Sequence, residues 1–160
     1  MEIERKFIVL GQFTESDEII QIRQAYVLKK DGVEIRIRHR SDSGCLITVK
    51  VGKGLAREEW EMPIPESIFK HLWEASKENS IEKERHLIPY HYKDVNGEKH
   101  SVTIKVDVFT DPSFGMLAEI EFETEEEALS FYPPDWFGKE VTENFRYRNA
   151  SLTELGWPRE

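Results

Sequence analysis

Cysteine is nearly absent: Cys45 stands alone, so neither an intramolecular disulfide nor a thiolate zinc cage can form. Long apolar runs are missing too. Nothing approaches the ~18 consecutive apolar residues of a membrane-spanning helix, and the acidic start at Glu2 and Glu4 is unlike a basic leader followed by an apolar stretch. A cytoplasmic protein with no membrane association is therefore expected. Positive charge is in short supply, with 22 Lys and Arg against 31 Asp and Glu and a net charge of −9, so no nucleic-acid partner is expected. The five histidines lack the spacing and cysteine partners of a zinc site and read as surface or hydrogen-bonding residues. Hydrophobic content is modest at 39%, yet 11% aromatics in ordered patterns exclude a disordered chain. The length suits a single domain spanning residues 1–160, with no repeat, low-complexity tract or linker.

What is present is a series of short alternating runs. Lys30-Asp31-Gly32, Asp42-Ser43-Gly44 and Asn96-Gly97 each lie between two such runs and read as hairpin turns. Strands are expected at 2–9, 22–29, 33–40, 45–51, 57–64, 81–92, 99–109 and 116–123. Eight strands with hairpin links suggest a mainly β (α+β) fold, an eight-stranded antiparallel closed barrel. Helices are fewer: 66–77, with Ile68, Leu72 and Ala75 at helical spacing, then 125–132 after a Thr124 cap, and 151–155.

The strands alternate apolar with charged residues. Glu2, Glu4 and Lys6 share a face in the first strand; Arg36, Arg38 and Arg40 do so in the third, and Thr48 and Lys50 in the fourth. Arg57, Glu59 and Glu61 continue the period, followed by Lys83 and Arg85, then Thr103, Lys105 and Asp107, then Glu119, Glu121 and Glu123. Two arrangements satisfy this pattern. Either the apolar faces fill a small barrel and the charges are solvated, or helices cover an apolar outer wall and the charges line a wet interior. The segregation of sign favours the second, because a merely soluble surface intersperses acids and bases. Acids and bases facing one lumen would suit a hard divalent ion beside a polyanion: Mg²⁺ takes carboxylate oxygens plus substrate phosphates, while arginine and lysine neutralise phosphate.

Glu2-Ile3-Glu4-Arg5-Lys6 resembles the Glu-x-Glu-x-Lys signature of the CYTH superfamily, the triphosphate tunnel metalloenzymes. The ordered set Gln24-Ala25-Tyr26, Arg36-x-Arg38, Lys50, Arg57-x-Glu59-x-Glu61, Lys83-x-Arg85, Asp107, Glu119-x-Glu121, Gly138-Lys139-Glu140-Val141-Thr142 and Tyr147-x-Asn149 extends the resemblance over essentially the whole chain. The resemblance implies an eight-stranded tunnel with a charged lumen and helices packed outside. It also implies hydrolysis of a small-molecule triphosphate with Mg²⁺ (or Mn²⁺). By the same resemblance Glu2, Glu4, Glu119 and Glu121 hold metal, with Asp107 a further ligand or water-mediated partner. Arg36, Arg38, Lys50, Arg57, Lys83, Arg85 and Lys139 then grip phosphates, Glu59 and Glu61 give acidic support, and Lys6 pairs with Tyr26 as a catalytic dyad.

Inorganic triphosphate is the expected substrate, hydrolysed to pyrophosphate and orthophosphate. Alternatives are a class IV-type adenylyl cyclase, a thiamine or nucleoside triphosphatase, and a noncatalytic polyphosphate- or nucleotide-binding module. No adenine or thiazole pocket is evident among the aromatics, with Phe13 and Phe114 as loop positions able to form a platform, and simple anion binding has no use for the Glu-x-Glu pairs. A monomer or a homodimer fits equally.

Overall fold

The computed structural model describes residues 3–52 and 58–159. Its elements run β1 (Ile3–Val9), β2 (Glu18–Lys30), β3 (Val33–Arg40), β4 (Gly44–Val51), β5 (Glu58–Pro63), α1 (Glu66–Ser76), β6 (Ser80–Lys93), β7 (Lys99–Asp111), β8 (Met116–Phe122), α2 (Glu125–Ser130), β9 (Phe137–Glu140) and α3 (Asn149–Leu155). All the strands join one antiparallel sheet in the order β5-β4-β3-β2-β6-β7-β8-β1-β9.

Two expectations need correction here. Among the described residues the strands number nine rather than eight, and the sheet is not closed, since β5 and β9 stand at its two ends. The additional strand, Phe-Gly-Lys-Glu, is four residues long and bulged against β1, so it carries no period-2 signal. It also explains the open sheet, because β9 takes the edge of β1 that β5 would need for closure.

Local chemistry accounts for the connections. Lys30 pairs with Val33 across a two-residue turn in which Asp31 and Gly32 have φ of 52° and 78°, the left-handed conformation a tight hairpin needs and glycine adopts freely. Thr124 caps α2 by accepting the Glu127 backbone N–H at 3.1 Å. That helix ends at Ser130 rather than at residue 132, ahead of Pro133 and Pro134, and α3 begins two residues earlier than expected.

Apolar packing occurs in three places. Phe7, Ile88, Ile104, Val106, Ala118 and Ile120 line the outer face of β1, β6, β7 and β8, under Ala128 and Phe131 from the α2 region. Ala25, Ile37 and Cys45 line the outer face of β2, β3 and β4, under Phe69 and Trp73 of α1, which lie one helical turn apart. On these faces the inverted alternation is realised: the core lies outside the sheet, beneath helices. The third cluster is different. Ile81, Phe109 and Leu117 share the strand face of Lys83, Asp107 and Glu119, and Tyr147 and Leu152 cover them, so the C-terminal segment packs on one end of the charged face. β2 also departs from the simple pattern, since Ile20 and Ile22 are buried on the charged side while Ile19 is exposed on the other.

Candidate active site

The charged face is assembled by register. Glu4 lies opposite Glu121, and Lys6 opposite Glu119, across the β1–β8 ladder. Glu119, Glu121 and Glu4 each bring a carboxylate oxygen within 4.8 Å of the others. Burial, followed by the nearby charge of Glu119, pushes the Glu4 carboxyl up to about 7. Three carboxylates crowded in this way, with Lys105 beside Glu121 and Lys6 near Glu119, are a donor set of the kind a hard divalent ion takes. Glu2, the further ligand implied by resemblance, lies outside the described residues, as does Arg57.

Asp107 does not join this cluster. Its Oδ1 accepts from Arg85 Nε at 2.8 Å, and its Oδ2 accepts from Lys83 Nζ at 2.9 Å and Arg85 Nη2 at 3.0 Å. Burial opposes its ionisation, but the Lys83 charge and the Arg85 bond outweigh burial and hold the carboxyl below the usual range. Burial alone would lower Arg85, and the hydrogen bond and charge of Asp107 instead hold it above its usual value. Lys83 is buried without exposed side-chain surface, and burial pushes its ammonium down to about 8. Its Nζ also donates to Asn149 Oδ1 at 3.3 Å, tying β6 to α3. Lys83 is thus committed to internal partners rather than presented to a ligand.

Arg36 and Arg38 are arranged differently. Arg38 Nε donates to Gln24 Oε1 at 3.0 Å, a neutral acceptor, and Arg36 Nε is buried with no hydrogen-bond partner. Among the described residues no carboxylate forms an ion pair with either. Burial, with Arg36 and Arg85 nearby, pushes Arg38 down to about 10, which still leaves it charged at neutral pH. These two arginines therefore present unneutralised charge to an anion.

The remaining expected residues are more dispersed. Lys50 is half-buried and faces Glu59 across the β4–β5 ladder; Glu61 accepts from Thr48 Oγ1 at 2.8 Å. Lys139 is exposed on β9. Lys6 Nζ lies 3.5 Å from the Tyr147 carbonyl and 3.8 Å from Glu119 Oε2. Tyr26 OH instead accepts from Gln24 Nε2 at 2.9 Å, and no hydrogen bond joins Tyr26 to Lys6. Two participants were absent from the expected set. Lys105 donates to Glu121 Oε1 at 2.9 Å, and the signal for it was its parity with Asp107. Gln24 is fully buried and bonded to Arg38; its place in the Gln24-Ala25-Tyr26 motif is the signal for it, although the motif assigns a role to Tyr26 alone.

Comparison with known proteins agrees with this geometry. The chain is 38% identical over 154 residues to the inorganic triphosphatase of Nitrosomonas europaea, covering 94% of this chain and 95% of that one. It is 33% identical over 156 residues to the inorganic triphosphatase of Acetivibrio thermocellus, covering 96% and 93%. A solved inorganic triphosphatase superposes with a TM-score of 0.73 at 36% identity, covering 95% of this chain and 97% of the other. The CYTH domain model matches residues 1–153, and with acids and arginines brought to one sheet face as that family's signature implied, the chain belongs to the CYTH domain family.

Proposed function

We propose that this protein hydrolyses inorganic triphosphate to pyrophosphate and orthophosphate, using Mg²⁺ or Mn²⁺ held by Glu4, Glu119 and Glu121. The observation that carries this reading is the pairing, on one sheet face, of a carboxylate cluster with two arginines that have no carboxylate partner among the described residues. In this reading the open sheet wraps its charged face around the triphosphate as a tunnel.

Glu4, Glu119 and Glu121 would hold a divalent ion, which would supply charge neutralisation and polarise the phosphoryl oxygens. Arg36 and Arg38 bind the phosphate chain through planar forks that match phosphoryl oxygens, with Lys50 and Lys139 as flanking point charges. Arg85 is held in place by Asp107, and the Lys83–Asp107 pair keeps that support rigid. Asp107 thus acts through the cations rather than on the metal. Lys6, next to Glu119, serves the side of the attacking water, and Tyr26, next to Arg38, serves the phosphate side. Water adds in line to the terminal phosphorus, and the bond to the bridging oxygen breaks. The electron pair leaves on pyrophosphate, and the water's proton is released with orthophosphate.

The two loop aromatics that could have served a nucleoside as a platform are packed against other side chains. Phe13 packs against His86 and Trp136, and Phe114 packs against Phe109 and Trp157. Tyr26, Phe109 and Tyr147 are buried. The test compares kcat/KM for tripolyphosphate, ATP, thiamine triphosphate and pyrophosphate at saturating Mg²⁺. Tripolyphosphate is expected to lead by about tenfold or more, the scale of one lost apolar contact in a competitor's favour. Equal values or a preference for ATP would refute the substrate assignment, and cyclic AMP among the products would replace it with the cyclase.

A further inference from the structure

We propose that Gln24 is a positioning residue for phosphate binding: it aims Arg38 at the anion without neutralising it, and it turns the Tyr26 hydroxyl proton outward as a donor. This inference rests on the reading of the charged face as a polyphosphate site.

The orientation of the amide follows from its partners. A guanidinium has donors only, so the group receiving Arg38 Nε at 3.0 Å must be Gln24 Oε1. The Nε2 end is then fixed toward Tyr26, where it donates to the hydroxyl at 2.9 Å. That hydroxyl uses a lone pair for this bond, and its own proton remains available to a different acceptor. Burial, the largest influence, holds the Tyr26 phenol above its ordinary value, so it remains a protonated donor. Gln24 itself has no exposed surface, which makes its geometry a product of packing rather than of solvent.

The choice of a neutral acceptor is significant. The same sheet face contains a buried arginine with a carboxylate partner, Arg85 on Asp107, a carboxylate it shares with Lys83. A carboxylate at position 24 would hold Arg38 equally well and cancel its charge. The amide holds the guanidinium while leaving the counter-charge to be supplied by substrate phosphate.

Gln24→Glu, an isosteric change, separates this role from a purely structural one. It adds a charge-assisted bond to Arg38, so the expected thermal midpoint is within about 2 °C of wild type or above it, while KM for tripolyphosphate rises about tenfold or more. Gln24→Met removes the acceptor but leaves Arg38 charged. The expected midpoint falls by about 4 °C or more, KM rises through the lost aim of Arg38 but by less than in Gln24→Glu, and kcat falls through the disengaged Tyr26. Stability and KM therefore rank the two variants in opposite orders. A KM for Gln24→Glu within about twofold of wild type, or a Gln24→Met variant with the higher KM, overturns the proposal. The Tyr26 half is tested by Gln24→Met in a Tyr26→Phe background, where the kcat losses are expected to be non-additive; additive losses overturn it. Wild-type turnover is the control for the underlying reading. If wild type fails to hydrolyse tripolyphosphate, that reading fails, and calorimetric binding of tripolyphosphate still tests Gln24, with weaker binding expected in Gln24→Glu than in Gln24→Met and the reverse order refuting it.

Discussion

Replacing Asp107 by Asn tests whether this carboxylate is a metal ligand or the counter-ion of a buried cation pair. The side chain is 8% exposed and bonds to Lys83, itself with no exposed side-chain surface, and to Arg85, 10% exposed. Asparagine keeps the size but removes the charge, leaving two buried cations facing each other across a neutral amide. Breaking one buried pair costs about 3–5 kcal/mol. At roughly 2–4 °C per kcal/mol for a chain of this length, the melting point should fall by about 6–20 °C in metal-free buffer at pH 7. The pH dependence carries a matching sign. A carboxyl held below its ordinary value in the folded protein stabilises above the unfolded pKa of ~3.9, and that contribution is lost as pH falls through the folded value. Wild type should therefore begin to lose its advantage over Asp107→Asn below about pH 4, with the two melting curves drawing steadily closer as pH falls further toward the folded value. Thermal denaturation followed by circular dichroism across pH 3 to 7 provides the readout. A variant that melts within about 2 °C of wild type at pH 7 but demands a higher Mg²⁺ concentration would refute the counter-ion assignment and return Asp107 to the metal.

Other perturbations address the remaining parts of the site and the fold. Glu121→Gln should lower kcat on the order of 10²-fold or more and raise the Mg²⁺ concentration needed for half-maximal rate while leaving the circular dichroism spectrum unchanged; near-normal turnover counts against its role as a ligand. Arg38→Lys keeps the charge but loses the fork, so KM for tripolyphosphate should rise about tenfold or more in a steady-state assay. Phe69→Ala removes a ring that is 1% exposed between α1 and the outer sheet face, and denaturant titration should show a loss of about 3–5 kcal/mol. Lys83→Met should abolish the stability gain that wild type shows on moving from pH 8 toward 10, since burial lowers the folded ammonium to about 8 and the unfolded chain binds that proton more tightly; a persistent gain of the same size would contradict the assignment.

Much of this protein could be read from period and sign. Side chains two apart in a strand share a face, so Glu4 with Lys6, Arg36 with Arg38 and Glu119 with Glu121 were placed together by parity alone, and the hairpins at Asp31-Gly32 and Gly97 followed from turn chemistry. The family was legible by resemblance, in the ordered motifs that begin with Glu2-Ile3-Glu4-Arg5-Lys6. Partner choice did not follow. Parity puts Asp107, Lys83 and Arg85 on one face, but only register across β6 and β7, with burial on all sides, decides that Asp107 is consumed by cations while Glu4, Glu119 and Glu121 remain together. The same holds for Arg38, whose neutral partner comes from a neighbouring strand, and for Lys83, whose contact with Asn149 spans 66 residues. The open sheet was equally out of reach, since a bulged four-residue strand has no periodicity and takes its place only when β1 offers it a free edge. Sequence alone determined which residues share a face and which chemistry they suit; the tertiary structure decided which charges are neutralised internally and which remain for a ligand, because that balance depends on distances between strands far apart in the chain.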